Sequence, residues 1–288
     1  MALLCELIAK AKSENKKFWE IVREGDCFDR QVTPEQSWER MRKVFLDMLS
    51  ASDGYDKSAV SRSGLVGGDG GKMRDYMAKG CFVNGYVGEA MAEALSMAES
   101  NACMRRIVAA PTAGACGVLP AVVMPLYRSG EATEEDIIKM LYVSAGIGKV
   151  IAENAFIAGA AGGCQAEIGA ASAMAAGALC SLRCNDEEQI GHAAAMALKN
   201  LLGLVCDPVA GLVEVPCVKR NVVGTVNAIS AADMALAGID SRVPVDQVIS
   251  AMKGVGEHMS VELRETALGG LAATEFGEAV KAKMWGEK

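Results

Sequence analysis

Apolar, Ala-rich stretches separated by short polar segments run along most of the 288-residue chain, and several of their ends carry helix signals. Thr33-Pro34-Glu35-Gln36 reads as an N-cap, a proline at the first helical position and a capping-box glutamine, opening a helix to about Ser50. Thr133-Glu134-Glu135-Asp136 starts a second helix, ending near Gly146 to Lys149. Asn185-Asp186-Glu187-Glu188 reads as a further capping box, with a helix through His192 and Met196 towards Leu201. The Ala-rich stretches 85–100, 166–182 and 225–237 also suit helices. Strand candidates are few and short, 106–109 and 212–215. The predicted class is mostly α, a compact helical domain spanning 1–288 with Gly/Pro-rich loops, and 53–72 is its candidate flexible loop.

Three Gly/Pro-rich stretches interrupt the helical pattern. They are Ser61-Arg-Ser-Gly-Leu-Val-Gly-Gly-Asp-Gly-Gly-Lys72, too glycine-rich for a helix, Ala110-Pro-Thr-Ala-Gly-Ala-Cys-Gly117, and Cys206-Asp-Pro-Val-Ala-Gly211 leading to Glu214-Val-Pro-Cys217. No internal repeat or low-complexity linker divides the chain. Residues 107–127 carry no charge and are long enough to span a bilayer, yet Pro111, Pro120 and Pro125 would strand backbone groups in lipid. A second apolar stretch, 155–182, has Glu167 near its middle, a costly charge in a membrane. The expectation is no membrane role.

Composition narrows the class. Hydrophobic residues make up 51% but aromatics only 5%, so the apolar content is largely Ala, Val, Leu and Met, with 31 Gly among them. Small side chains let helix axes approach closely, which favours a helical body. A formal net charge of −7 argues against a nucleic-acid surface. The first residues, with Glu6 and several lysines, lack the apolar run of an export signal, and ten cysteines then suit a reducing, cytoplasmic setting.

Most chemical motifs fail. The stretch ending at Lys72 is no phosphate-binding P-loop, because Val66 replaces its first glycine and Met73 follows the lysine. Lys72 reads as a solvated loop lysine or as a carboxylate binder. A Schiff base with pyridoxal phosphate there lacks any accompanying phosphate site. Only His192 and His258 occur, there is no Gly-x-Ser-x-Gly elbow, and no Cys-x2-Cys pair supports zinc. Cys5, Cys27, Cys81, Cys103, Cys180 and Cys184 sit in helical patterns where packing is the default. Cys164, Cys206 and Cys217 differ, since each lies among Gly or Pro residues that free backbone N–H groups to face sulfur. On spacing alone, core packing and a three-cysteine cluster both stay open.

The strings Ala110-Pro-Thr-Ala-Gly-Ala-Cys-Gly-Val-Leu-Pro-Ala121, Gly163-Cys-Gln-Ala-Glu-Ile-Gly169, Leu202 through Asn221 and Arg264-Glu-Thr-Ala-Leu-Gly-Gly-Leu-Ala272 closely resemble the α chain of iron–sulfur-dependent L-serine dehydratases. The resemblance runs from about Ser61 to Ala272. It implies that Cys164, Cys206 and Cys217 hold a [4Fe–4S] cluster, while Cys116 is not carried over as a ligand. It implies deamination of L-serine to pyruvate and ammonia without pyridoxal phosphate, the open iron acting as a Lewis acid. Thr112 is then expected to hydrogen-bond substrate, with Lys72 a weaker candidate for its carboxylate. Glu167 reads as a support for the ligand Cys164 or as the first-turn acid of a helix.

Two departures from the family refine these expectations. The Ser-Ser-Ser-His-Thr segment of single-chain relatives, with its suspected base, is missing, which implies a two-subunit form whose β chain supplies the base. The stretch after Ala272 contains no cysteine to cap the open iron. Two rival readings are an L-cysteine desulfidase with a similar cluster, and a non-enzymatic helical binding or membrane-associated protein.

Overall fold

The computed structural model describes residues 2–286, so Met1, Glu287 and Lys288 lie outside the described residues. Among the described residues thirteen α-helices follow one another: α1 (Leu4–Ser13), α2 (Phe18–Arg30), α3 (Pro34–Asp53), α4 (Asp69–Met77), α5 (Gly85–Ala102), α6 (Val118–Ser129), α7 (Glu134–Asn154), α8 (Gly159–Gly162), α9 (Ala170–Arg183), α10 (Glu188–Lys199), α11 (Cys217–Leu236), α12 (Val245–His258) and α13 (Glu275–Trp285). A π-helical turn, Gln165–Gly169, leads directly into α9. Among the described residues the only β pairing is an isolated bridge between Cys206 and Arg264. The mostly α expectation holds. The two strand candidates, 106–109 and 212–215, do not form strands: no ladder includes the first, and the second folds into bends and turns closed by the bond from Val209 N to Val215 O at 2.9 Å.

Helix α9 runs through the centre, packed against α6, α7, α10 and α11. Ten of its residues are buried, and most are Ala, Gly or Ser, so the surrounding axes come close. Gly177 faces Ile147 of α7 with no room for a Cβ. A Cβ on Gly148 would sit 3.0 Å from Met174 Sδ, and one on Gly224 would sit 2.9 Å from Ile168 Cγ2. Larger residues complete the core, including the fully buried Phe18, Phe45, Met48, Met124 and Ile137. Those contacts are what the high alanine and glycine content allows.

Helix starts follow the chemistry of the caps more faithfully than helix ends do. Thr33 accepts from Gln36 N at 3.2 Å while Gln36 Oε1 accepts from Thr33 N at 3.0 Å, the reciprocal pair expected at α3. Thr133 and Asp136 make the same exchange at α7. The capping box expected at Asn185 does not form. α10 begins at Glu188, whose amide donates to Asp186 Oδ1 at 3.0 Å. Helix α7 passes through Gly146 and Gly148 to Asn154, because Gly146 faces Val22 of α2 and so marks a close approach, not a stop. The Gly-rich run before Lys72 is likewise partly helical: Asp69-Gly-Gly-Lys72 is the first turn of α4, where buried Gly70 lets Ser96 of α5 approach, its Cβ position 3.0 Å from Ser96 N.

Distant segments also cap one another. Asp246, in the first turn of α12, accepts from Leu4 N at 2.7 Å and Cys5 N at 3.0 Å, and so caps α1. Glu187 accepts from Phe18 N at 2.9 Å and pairs with Lys17 at 3.0 Å. Pro120 and Pro125 both lie within α6. The first-turn position of Pro120 costs no internal bond, whereas Pro125 leaves the Ala121 carbonyl without its intrahelical donor. No helix of the described residues is long and apolar enough to cross a membrane.

Candidate active site

Cys164, Cys206 and Cys217 come from three separate segments and meet in one buried place. Cys217 is the first residue of α11, so its sulfur sits at the positive end of a 20-residue helix. Cys164 lies between α8 and the π turn. The preceding Gly163 has φ +77°, and a Cβ there would meet Met259 Sδ at 2.6 Å and the Leu204 carbonyl at 2.9 Å, so this position requires glycine. Cys206 is held by its backbone: its N–H donates to Leu263 O at 2.8 Å and its carbonyl accepts from Glu265 N at 2.8 Å. The Cys164, Cys206 and Glu167 ligand atoms lie within 4.8 Å of one another. Cys217 stands outside that trio but close enough to interact electrostatically with Cys164 and Cys206.

Polar side chains lock these segments together. Arg220 Nη1 donates to Val205 O at 2.7 Å and Nη2 to Asp207 Oδ1 at 2.8 Å, and the guanidinium charge acts on the Cys164 sulfur. Asp207 Oδ2 accepts from Leu271 N at 2.8 Å, which brings in the segment after α12. Asn221 accepts from Gly117 N at 2.9 Å and donates to Gly114 O at 2.8 Å, fixing the 110–117 loop to α11. Gln165 donates to Gly162 O at 2.9 Å and Met252 O at 3.1 Å, and accepts from Gly203 N at 2.9 Å. Buried Glu214 accepts from the hydroxyls of Ser61 and Ser63, which anchors the first glycine-rich stretch beside Cys217.

Thr112 enters this site from the 110–117 loop. Its Oγ1 donates to Glu167 Oε1 at 2.7 Å. The π turn carries Glu167, so the residue belongs neither to a regular α-helical first turn nor to a surface face. Two glycines border its carboxylate. A Cβ on Gly114 would lie 3.2 Å from Glu167 Oε1. A Cβ on Gly159 would lie 2.8 Å from Cys206 Sγ, 2.9 Å from Glu167 Oε2 and 3.2 Å from Glu265 Oε2. The missing side chain at Gly159 therefore leaves a cradle lined by one sulfur and two carboxylates.

The electrostatics limit how many thiolates the chain can hold alone. Cys164 is held below the usual thiol range by a hydrogen bond from the Cys206 thiol and by Arg220, against burial. That same bond, together with burial, pushes Cys206 up, and burial followed by the charge of Cys164 pushes Cys217 up. Burial also pushes the Glu167 carboxyl up, and the charge of Glu265 adds to this against the Thr112 hydrogen bond. Three sulfur donors in one buried neighbourhood fit an iron–sulfur group, because coordination deprotonates thiols outright.

Other candidates fall elsewhere. Lys72 is three-quarters exposed and its Nζ pairs with Asp69 Oδ1 at 2.8 Å, while Asp69 Oδ2 accepts from Lys219 at 2.6 Å. Its bonds thus run to the α4–α11 contact and not to the thiols. Cys116 is buried in the core with its thiol directed to Met97 O at 3.6 Å, and burial pushes it up to about 12. His192 pairs with Asp240 at 3.3 Å, and His258 Nδ1 bonds Gly254 O at 2.7 Å within its own helix. Sequence reasoning missed Arg220, Asn221 and Glu265. All three lie in the strings quoted above, but their importance comes from contacts across long stretches of chain.

The family model described as "Serine dehydratase alpha chain" matches residues 12–272. The chain is 43% identical to the probable L-serine dehydratase alpha chain of Bacillus subtilis strain 168, over 98% of this chain and 94% of that one. It is 52% identical to the corresponding probable alpha chain of Latilactobacillus sakei, over 69% of this chain and 95% of that one. It is 40% identical to the L-serine dehydratase alpha chain of Peptoniphilus asaccharolyticus, over 96% and 95% respectively. Several longer relatives, named L-serine dehydratase without a chain designation, align with this chain over 40% of their own length.

Proposed function

The chain belongs to the serine dehydratase alpha chain family, and from that premise we propose that it is the catalytic α subunit of an L-serine dehydratase. In this reading it converts L-serine to pyruvate and ammonia, and Cys164, Cys206 and Cys217 hold a [4Fe–4S] cluster. The observation that carries the proposal is that those three buried thiols, from three segments, come close enough to act on one another, Cys164 and Cys206 within 4.8 Å and Cys217 beside them. Bound there, the cluster would supply an iron without a protein ligand, a Lewis acid for the substrate hydroxyl worth several kcal/mol of charge stabilisation.

The chain's own residues do the rest of the work assigned to this subunit. The bridge between Cys206 and Arg264 fixes one donor, and the α11 N-terminus fixes another with a favourable dipole. Arg220 holds positive charge against the Cys164 sulfur. Thr112 and Glu167 border the cradle as a hydroxyl and a carboxylate for substrate contact. Neither His192 nor His258 is engaged with this site, which supports a base delivered by a partner β chain. The longer relatives, whose length extends well beyond the aligned part, support the same two-chain reading. Ten free cysteines suit a reducing cytoplasm.

Iron and sulfide quantitation on anaerobically prepared protein tests the cluster. We expect Ala replacement of Cys164, Cys206 or Cys217 to abolish iron incorporation, and Cys5→Ala or Cys116→Ala to retain it. Protein that stays iron-free after reconstitution refutes the ligand set. Pyruvate release from L-serine, measured with the β chain present and against L-cysteine, tests the reaction, and a clear preference for cysteine refutes it.

A further inference from the structure

Helix α13 stands apart from the main core. Only Gly277 and Val280 of its residues are buried, and it packs on two short 3-10 turns, Val209–Gly211 and Gly270–Ala273. Val280 joins Val209 and Ala210 in a small separate apolar cluster, edged by Leu65, Leu212, Val215 and Met284. Beyond these contacts the helix is tied by Trp285. Its Nε1 donates to Ala210 O at 2.9 Å, and its ring centre lies 5.6 Å from the Arg62 guanidinium carbon. Among the described residues the only ion pair of α13 is internal, between Lys281 and Glu278 at 3.7 Å.

The turn beneath α13 belongs to the thiol site. The chain runs from Cys206 through Val209–Gly211 to Cys217 at the start of α11. Ala210 at φ +54° and Gly211 at φ +73° are both left-handed. A non-glycine residue keeps that conformation only where its surroundings enforce it, and those of Ala210 include Val280 and the Trp285 indole. Leu65 and Val215 carry the contact inward, since both also border the cluster of Val66, Ala98 and Val218, and Val218 follows Cys217 in the chain. The far ends are fixed without α13: Cys206 by Leu263 and Glu265, and Leu271 by Asp207. What α13 holds is the middle of the stretch and the approach to Cys217. Thr274 caps the helix, its Oγ1 accepting from Gly277 N at 3.1 Å, so α13 can swing about Thr274 as one piece.

We propose that α13 is a latch over the cysteine-bearing turn, and that its release about Thr274 admits reagents to Cys217 while the helical core stays folded. Elements held by few buried apolar contacts open locally at less cost than the core. With the latch closed, Cys164, Cys206 and Cys217 are 2%, 2% and 8% exposed, too little to meet a donor of iron or sulfide. With it open, the 209–215 turn loses the contacts that hold it and Cys217 is reached first. The role in loading rests on the cluster reading above, whereas the opening itself does not.

The test uses the full chain, metal-free and reduced, with iodoacetamide as the probe and mass spectrometry to read each cysteine. Trp285→Ala removes the bond to Ala210 O and the ring beside Arg62, so alkylation of Cys217 should quicken about tenfold, the effect of one lost hydrogen bond and its ring contact on a local opening. Cys116 and Cys180, buried in the main core, should react at the parent rates. Phe276→Ala, on the exposed side of α13, should leave every rate unchanged. Hydrogen exchange on the parent should show the amides of 278–285 opening together and well ahead of those of α9. An unchanged Cys217 rate in Trp285→Ala, an equal acceleration at Cys116 and Cys180, or α13 amides as slow as those of α9 would each overturn the latch. Anaerobic reconstitution then reads the loading role: Trp285→Ala should take up iron, and yield it to a chelator, faster than the parent. Equal rates would overturn that role. A parent protein that takes up no iron would overturn the cluster reading and the loading role with it, while the alkylation rates still decide the latch.

Discussion

Arg220→Met is the most informative single change to the framework around the thiols. Arg220 and Asp207 form an ion pair at 2.8 Å with side chains only 14% and 5% exposed, so the pair is screened little by water. Removing the guanidinium leaves the Asp207 carboxylate facing the interior with the Leu271 amide as its remaining donor. Breaking a buried pair from one side typically costs about 3–5 kcal/mol. For a chain of this size that corresponds to a fall in Tm of roughly 6–20 °C. The loss should be measured by calorimetry on the cluster-free protein under reductant, where no metal contributes. Arg220→Met combined with Asp207→Asn should recover most of it, because the amide side chain keeps an acceptor for Leu271 N and buries no charge. A single variant within about 1 kcal/mol of the parent, or a double variant as unstable as the single, would refute the claim that this pair is the site's electrostatic anchor.

Two further changes probe local structure. Gly163→Ala forces a Cβ onto a residue at φ +77° and against Met259 Sδ and Leu204 O, so a loss of about 1–2 kcal/mol from the backbone alone is expected, with the contacts adding to it. A Tm equal to the parent's would contradict that geometry. Asp136 is held below its ordinary value of 3.8 by hydrogen bonds from Thr133, first from its hydroxyl and then from its amide. A depressed carboxyl contributes stability that is fully present above its unfolded value and is lost as pH falls through its folded one. The Tm gap between parent and Asp136→Ala should therefore be full at neutral pH and close below about pH 4, and a gap independent of pH would rule out the capping role.

Much of this arrangement was legible in the sequence, because caps and ligand contexts are local. The Thr33 and Thr133 caps, the helical class and the distinction of Cys164, Cys206 and Cys217 from the other cysteines all came from short strings. Glycine was the misleading residue. Gly146 and Gly148 looked like helix stops and Gly70 and Gly71 like a loop, yet Gly146, Gly148 and Gly70 occur inside helices where another segment comes close. A lone sequence cannot separate the two uses, since both favour a residue without Cβ. The same limit hid Glu265 and Arg220. Glu265 meets Glu167 only because Cys206 pairs with the segment that follows α12, and nothing in either local string announces that meeting.

The bridge at Cys206 also sets an order of events during biosynthesis. All three cysteines are part of the chain once residue 217 is made. The backbone partners of Cys206, Leu263 and Glu265, are translated later, and Leu271, which holds Asp207, later still. A nascent chain stopped short of these residues carries every sulfur yet cannot hold Cys206 in its final orientation. Under the proposed cluster reading, loading of iron and sulfide is therefore a step for the released or nearly released polypeptide, with the three thiols kept reduced until then.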